Sequence, residues 1–231
     1  MIEPLDNPVR HALIGPLARF AHGQGFARYY PRDMVPFSGI VTASPAAYTD
    51  LAVGLSLGNE ARLFRPCNEP PPDGWVSMDA FPVLQMVAAK GSPPQPSKSS
   101  PYSLLAGSDL SAMMDLAAAA KPGPFGLRTP ELGSYVGIRE DAHLIAMAGE
   151  RLRVPGYVEL SAICTHPDAR GRDFGLLLTQ GLMALAYQRG ETAFLHVRAD
   201  NKAAVSLYQR VGFRVRREFW VLWLEPSGTP A

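Results

Sequence analysis

The sequence has little net charge, few cysteines and no long apolar run, and each shortage removes a class of function. Lys and Arg number 22 against 21 Asp and Glu, for a net charge of +1. That balance gives no broad basic field for nucleic acid or for an anionic membrane surface, so neither is expected as a partner. The most basic local run, Arg214, Arg216 and Arg217, is closed by Glu218 and reads as a solvated strand face. The only cysteines, Cys67 and Cys164, lie far apart and in no metal-binding spacing, so no metal is expected and a reducing, cytoplasmic setting fits. Cys164 lies in an apolar strand-like run and reads as a small buried hydrophobe. No apolar run approaches the roughly 18 residues of a spanning helix, and Met1-Ile2-Glu3-Pro4 lacks the shape of a signal peptide. No internal repeat stands out. What the chain does have is apolar mass. A hydrophobic share of 47% over 231 residues supports a core, in one large or two small domains.

In chain order, Asn7-Pro8 is a cap-plus-proline start for a helix to about His22, stopped by Gly23 and Gly25. Residues 27–39 read as irregular. Ser44-Pro45 opens a second helix through about Leu55. Short strands are expected at 61–64 and 83–88, with Pro70, Pro71 and Pro72 in the loop between them. Residues 91–101 are almost all Gly, Ser, Pro, Lys and Gln and read as a linker. The boundary is therefore expected there, with a smaller α/β region at 1–90 and a second unit at 102–226. For residues 1–90 three roles stay open: completing a pocket, covering a sheet, or mediating a homodimer. Beyond the linker, strands are expected at 102–105, 135–138, 143–151 and 194–198, with a helix at 109–119 capped by Ser108.

The most informative stretch runs from Tyr157 to Phe213. A strand-like run, Tyr157 to Thr165, meets a Pro-bearing turn. Arg170-Gly171-Arg172-Asp173-Phe174-Gly175 then opens into a helix-like run from Leu176 to Arg189. A strand, a Gly-bearing loop and a helix N-terminus together suit an anion, because the first helical N–H groups lack partners and the helix dipole favours negative charge. Further on, Asn201, Ala204 and Tyr208 share one helix face and precede Gly212-Phe213.

From about Tyr102 to Glu225 the chain resembles the GNAT superfamily of acyl-CoA-dependent N-acetyltransferases. Arg170 and Gly175 fit the ends of that family's pyrophosphate loop, Arg/Gln-x-x-Gly-x-Gly/Ala, with Asp173 standing at its middle glycine. Asn201-x-x-Ala204-x-x-x-Tyr208-x-x-x-Gly212-Phe213 matches its second motif at every named position. The resemblance implies an α/β fold: a mixed twisted sheet flanked by helices, with two strands splayed around acetyl-CoA. It implies that backbone around Ile163, Cys164 and Thr165 pairs with the pantetheine arm. Arg170, Gly171, Arg172, Asp173, Phe174 and Gly175 would surround the pyrophosphate. Asn201 would position the second motif's helix, and Tyr208 would protonate the departing thiolate. Glu159 is the candidate base, its pKa expected to rise through partial burial. His196 is the best alternative, ahead of His143 and His166. At Asp173 an outward carboxylate neutralised by Arg170 or Arg172 is expected. The implied activity is acetyl transfer to a small-molecule or peptide amine in a ternary complex. A longer-chain acyltransferase and a decayed acyl-CoA-binding module are the alternatives, the latter because of Asp173.

Overall fold

The computed structural model describes residues 3–55, 59–89, 91 and 101–227. Its first segment contains α1 (Pro8–Leu13), β1 (Ala27–Tyr29), β2 (Phe37–Ile40), α2 (Pro45–Gly54), β3 (Ala61–Arg65) and β4 (Trp75–Ala88). Then follow β5 (Tyr102–Leu105), α3 (Leu110–Ala120), β6 (Tyr135–Glu140), β7 (His143–Val154) and β8 (Tyr157–Thr165). The chain closes with α4 (Phe174–Gln188), β9 (Thr192–Arg198), α5 (Lys202–Val211) and β10 (Phe213–Pro226). All ten strands join one mixed sheet in the order β1-β2-β3-β10-β4-β9-β8-β7-β6-β5.

That order corrects the reading of residues 1–90 as a region apart. β4 lies in the middle of the sheet, paired to β10 on one side and to β9 on the other. The segment read as a linker falls almost wholly outside the described residues, but the sheet is continuous across it. Pro82 shows how a proline is tolerated in so central a strand. The β4–β9 ladder begins at Val83↔Arg198; from Pro82 back to Trp75 the ladder is with β10, and Pro82 offers the other side only its C=O, which accepts from the Ala199 N–H at 3.1 Å.

Alternation along the strands divides the side chains between two faces. On one, Phe64, Val83, Phe194, Phe219 and Val221 pack beneath Leu5, Val9, Leu13 and Leu17 of the N-terminal segment. On the other, Met86, Leu195 and Val197 pack beneath Leu178, Leu182 and Met183 of α4 and Val211 of α5. Some local expectations need correction. α1 ends at Leu13, not near His22, because Gly15-Pro16 follows and Pro cannot donate the next helical hydrogen bond. Residues 27–39, read as irregular, contain β1 and most of β2. Ser108 lies in a 3-10 turn and Asp109 precedes α3, its carboxylate accepting from the Ala106 N–H at 2.7 Å. Arg216 is not simply solvated: it reaches Asp6 at 2.7 Å and the Gln85 amide oxygen at 2.9 Å.

Expressed alone, residues 102–231 should not hold this fold, because β9 and β10 would both lose the strand between them. Insoluble material, or a collapsed amide NMR spectrum, is the expected outcome. A soluble fragment with native-like dispersion would contradict it.

Candidate active site

β8 and β9 run parallel and pair only at Tyr157↔Thr192, Val158↔Ala193 and Glu159↔Phe194. Beyond that point they part, and a cleft of about 770 Å³ opens between them. Just past the split, β8 carries a bulge. Met147 pairs with Cys164 and Gly149 with Ser161, so Ala162 and Ile163 oppose the single residue Ala148. Ala162 takes φ 51°, a left-handed conformation that breaks the strand's alternation. Backbone groups here leave the ladder beside the cleft.

The turn after β8 leads into α4 through two left-handed residues, Gly171 at φ 79° and Asp173 at φ 54°. A glycine at the second position would adopt that conformation at no steric cost; Asp is among the side chains that tolerate it. The Asp173 side chain caps nothing, and the first helical bond runs from Leu177 N–H to Asp173 C=O at 3.1 Å. The N–H groups of the first turn are thus left for an anion in the cleft. The Asp173 carboxylate is 67% exposed and lies 3.6 Å from Arg210. It points outward as expected, but its cationic neighbour is Arg210. Arg172 is held by Glu140 and stacks on Phe174, its guanidinium carbon 4.5 Å from the ring centre. Arg170 lines the cleft and is exposed. A Cβ on Gly175 would meet Leu207 at 3.4 Å and Ile163 at 3.9 Å, ordinary van der Waals contacts, so the protein alone does not require glycine there.

Across the cleft, Asn201 caps α5 by accepting from the Ala204 N–H at 3.1 Å. Two turns further along, Tyr208 lines the cleft. Burial, with Cys164 beside it, pushes its phenol up to about 12, so it is protonated at neutral pH. Cys164 is buried, as its apolar surroundings suggested. Its thiol is also pushed up to about 12 by burial, leaving it a neutral wall.

Glu159 is the exception among the expected site residues. It is fully buried and does not line the cleft; Arg151 and His196 do. Both Glu159 oxygens accept from Arg151 at 2.8 Å, and His196 Nδ1 lies 2.7 Å from Oε1. Burial alone would raise the carboxyl pKa. The Arg151 charge and the Arg151 and His196 hydrogen bonds outweigh it and hold the group at about 2. The expected upward shift is therefore corrected in sign.

The network also assigns the His196 protons. Gln85 Oε1 accepts from Arg216, so the Gln85 amide nitrogen faces Leu5 C=O at 2.9 Å and His196 Nε2 at 3.1 Å. His196 Nε2 then accepts and Nδ1–H donates to Glu159, which leaves a neutral imidazole without a free lone pair. His143 and His166 do not line the cleft. Among the described residues no cluster of His, Cys, Asp or Glu stands ready for a metal ion, and no helix is long and apolar enough to cross a membrane.

The structure thus brings Ile163, Cys164, Thr165, Arg170, Gly171, Arg172, Asp173, Phe174, Gly175, Asn201 and Tyr208 to one cleft. The wall supplied by Phe37, Arg62, Phe64, Phe81 and Val83 was not foreseen. These residues carry no motif, and only the alternation of Arg62 and Phe64 on one strand hinted at a common face.

The FR47-like protein family model matches residues 135–221. A putative acetyltransferase from the GNAT family of Novosphingobium aromaticivorans is 35% identical, with TM-score 0.90, over 98% of this chain and 100% of that one. The chain belongs to the GNAT family. Among curated relatives, the N-alpha-acetyltransferase RimI of Mycobacterium tuberculosis is 39% identical over 92 residues, 37% of this chain and 57% of that protein. A mycothiol acetyltransferase of Mycobacteroides abscessus is 45% identical over 62 residues, 26% of this chain and 21% of that protein. The chain therefore spans little more than half of the first relative and about a fifth of the second. Within the GNAT fold, the cleft between β8 and β9 is the place where both sequence motifs converge.

Glu159→Gln would leave the Arg151 charge buried without a counter-charge, at a cost of about 3 to 5 kcal/mol. Thermal unfolding should show a fall in Tm on the order of 10 °C. Because the folded pKa lies below the usual 4.5, the stabilisation from Glu159 is fully present above that pH and is lost as pH falls toward about 2. The wild-type kcat/KM profile should accordingly show no inflection from this group between about pH 5 and 9. An unchanged Tm in the variant would contradict the structural role.

Proposed function

We propose that this GNAT protein transfers an acetyl group from acetyl-CoA to an amine, which attacks the thioester directly in a ternary complex. The observation that carries this reading is the parting of β8 and β9 after Glu159↔Phe194, between the uncapped start of α4 and Tyr208. An acyl-CoA fits the residues present. The first turn of α4, Gly171 and Arg170 suit the pyrophosphate, and the missing side chain of Gly175, which also lines the cleft, suits close approach of a phosphate to the backbone. The β8 edge at Ile163, Cys164 and Thr165 suits the amide-bearing pantetheine arm. When bound, acetyl-CoA supplies the activated thioester.

The chain's own residues then have distinct tasks. Backbone N–H at the Ala162–Ile163 bulge polarises the thioester carbonyl. Tyr208, protonated at neutral pH, donates its proton to the departing sulfur; the acceptor attacks as the free amine, and the proton it sheds on forming the amide restores the Tyr208 phenol. Glu159 serves as a positioning residue: it holds Arg151 and His196 in the cleft wall and keeps its own charge. The two free cysteines suit a reducing, cytoplasmic setting. Asp173 does not argue for a decayed site, since its carboxylate is turned outward beside Arg210. The apolar far wall, Phe37, Phe64 and Phe81, leaves a longer acyl group as a second reading. Thiol release compared between acetyl-CoA and octanoyl-CoA separates the two.

Tyr208→Phe should lower kcat by roughly 10²-fold with acetyl-CoA affinity little changed, as for loss of a general acid. Equal turnover, measured where chemistry limits the rate, would remove Tyr208 from the mechanism. Asp173→Gly should tighten CoA binding by roughly two- to fivefold at low salt and less at high salt, because an exposed charge near the phosphates is removed. Its Tm should not fall, since glycine relieves a left-handed conformation costing about 1 kcal/mol. Calorimetric titration at two salt concentrations checks the first point; weaker binding would mean that the carboxylate assists the site.

A further inference from the structure

The cleft does not end at Tyr208. Past the split it reaches the opposite face of the sheet, where Phe37, Phe64, Phe81, Val83 and Val221 line it together with Arg62, Arg151 and His196. The guanidinium of Arg198 lies at its edge, 4.5 Å from the Phe81 ring centre. This compartment is apolar and cationic. Among the described residues that line the cleft, the one carboxylate residue is Asp173, which belongs to the α4 loop, and Glu159 is sealed behind Arg151.

The cations differ in what they have left to offer. Arg151 is held by both oxygens of Glu159 and lies over the Phe37 ring at 4.5 Å. Arg198 makes a two-point pair with Asp200 at 3.0 and 3.1 Å. Arg62 stacks on Trp223 at 4.1 Å and meets Glu60 through Nη2 at 2.9 Å, while its Nε is buried with no hydrogen-bond partner among the described residues. That nitrogen has no exposed surface and is out of a ligand's reach, but Arg62 lines the cleft with a single-point ion pair where Arg151 and Arg198 each have two-point pairs, so it keeps the most donor capacity for an anion there. An alkylammonium, by contrast, finds here no carboxylate that is not already paired with an arginine, so a simple amine or polyamine is disfavoured.

Resting on the acetyltransferase reading, we infer that the acceptor is a small amine that also carries a carboxylate and an apolar group, the chemistry of a free apolar α-amino acid. Arg62 receives the carboxylate, and Phe64 and Phe81 receive the apolar group.

The test is thiol release at saturating acetyl-CoA with matched acceptors: L-phenylalanine against phenethylamine, L-leucine against isopentylamine, then spermidine and a tripeptide amide. The carboxylate-bearing member of each pair should show kcat/KM higher by about tenfold or more, the scale of a charged hydrogen bond. Raising salt from about 50 to 500 mM should narrow that ratio. Arg62→Met should bring it near one, chiefly through KM, while acetyl-CoA affinity by calorimetry stays unchanged. Better use of phenethylamine, spermidine or the peptide amide overturns the acceptor class and leaves acetyl transfer standing. So does an unchanged ratio in a folded Arg62→Met protein. Because that side chain stacks on Trp223, the wild-type salt dependence decides if the variant does not fold. Acetyl-CoA binding with no acceptor used also overturns the acceptor class; no binding and no thiol release overturns both readings.

Discussion

The site depends on a parallel ladder that stops. Two strands that paired along their whole length would leave no opening between them; here pairing ends at Glu159↔Phe194. Unpaired strand backbone inside a protein is costly unless something else satisfies it. On β8 the antiparallel partner β7 and the Ala162–Ile163 bulge take part of that load. On β9 the other neighbour, β4, pairs through Arg198 and so keeps the strand straight after β8 has left it. The gap is therefore framed by two ladders that continue past it, and a ligand with amide groups can complete what the strands leave open.

A chain of polar contacts keeps the split in register. Arg151, Glu159, His196, Gln85, Arg216 and Asp6 run in sequence across β7, β8, β9, β4 and β10 to the N-terminal segment. Buried ionic contacts of this kind contribute little net stability over an apolar replacement, but removing a single member strands a charge. Their effect is to tie particular strand pairings together. Gln85 also holds the Leu5 carbonyl, so the segment that lids the apolar face is fastened to the strand that carries the cleft wall. This is the physical reason why the first ninety residues and the rest share one core.

Much of the cleft lining around α4 and α5 was legible because its spacing is local. The loop from Arg170 to Gly175 and the helix face of Asn201, Ala204 and Tyr208 are each contained in a short window, where spacing alone fixes which groups come together. The structure gathers those residues at one cleft. Non-local pairing was not legible. Nothing in residues 75–88 announces insertion between β9 and β10, and Pro82 within the strand argues against it until the ladder with β9 is seen to start one residue later. Glu159 failed for a related reason. Its position on β8 was read correctly, but its charge state depends on Arg151 and His196, and no sequence window shows that both converge on one carboxylate.

The two ends of the cleft follow one electrostatic rule with different means. At the α4 end the positive potential comes from free N–H groups, the helix dipole and Arg170, which suits phosphate groups that stay hydrated on one side. At the far end it comes from guanidinium groups set among phenyl rings, where lower effective dielectric makes each charge act more strongly. The acidic side chains at both ends are paired with arginines. Asp173 turns to solvent beside Arg210, Glu140 faces Arg172, and Glu159 lies beneath Arg151. Were the far end built to attract a cation, the simplest change would be to expose Glu159. Instead an arginine covers it, and the carboxylate that could have received an ammonium holds Arg151 and His196 in place in the cleft wall.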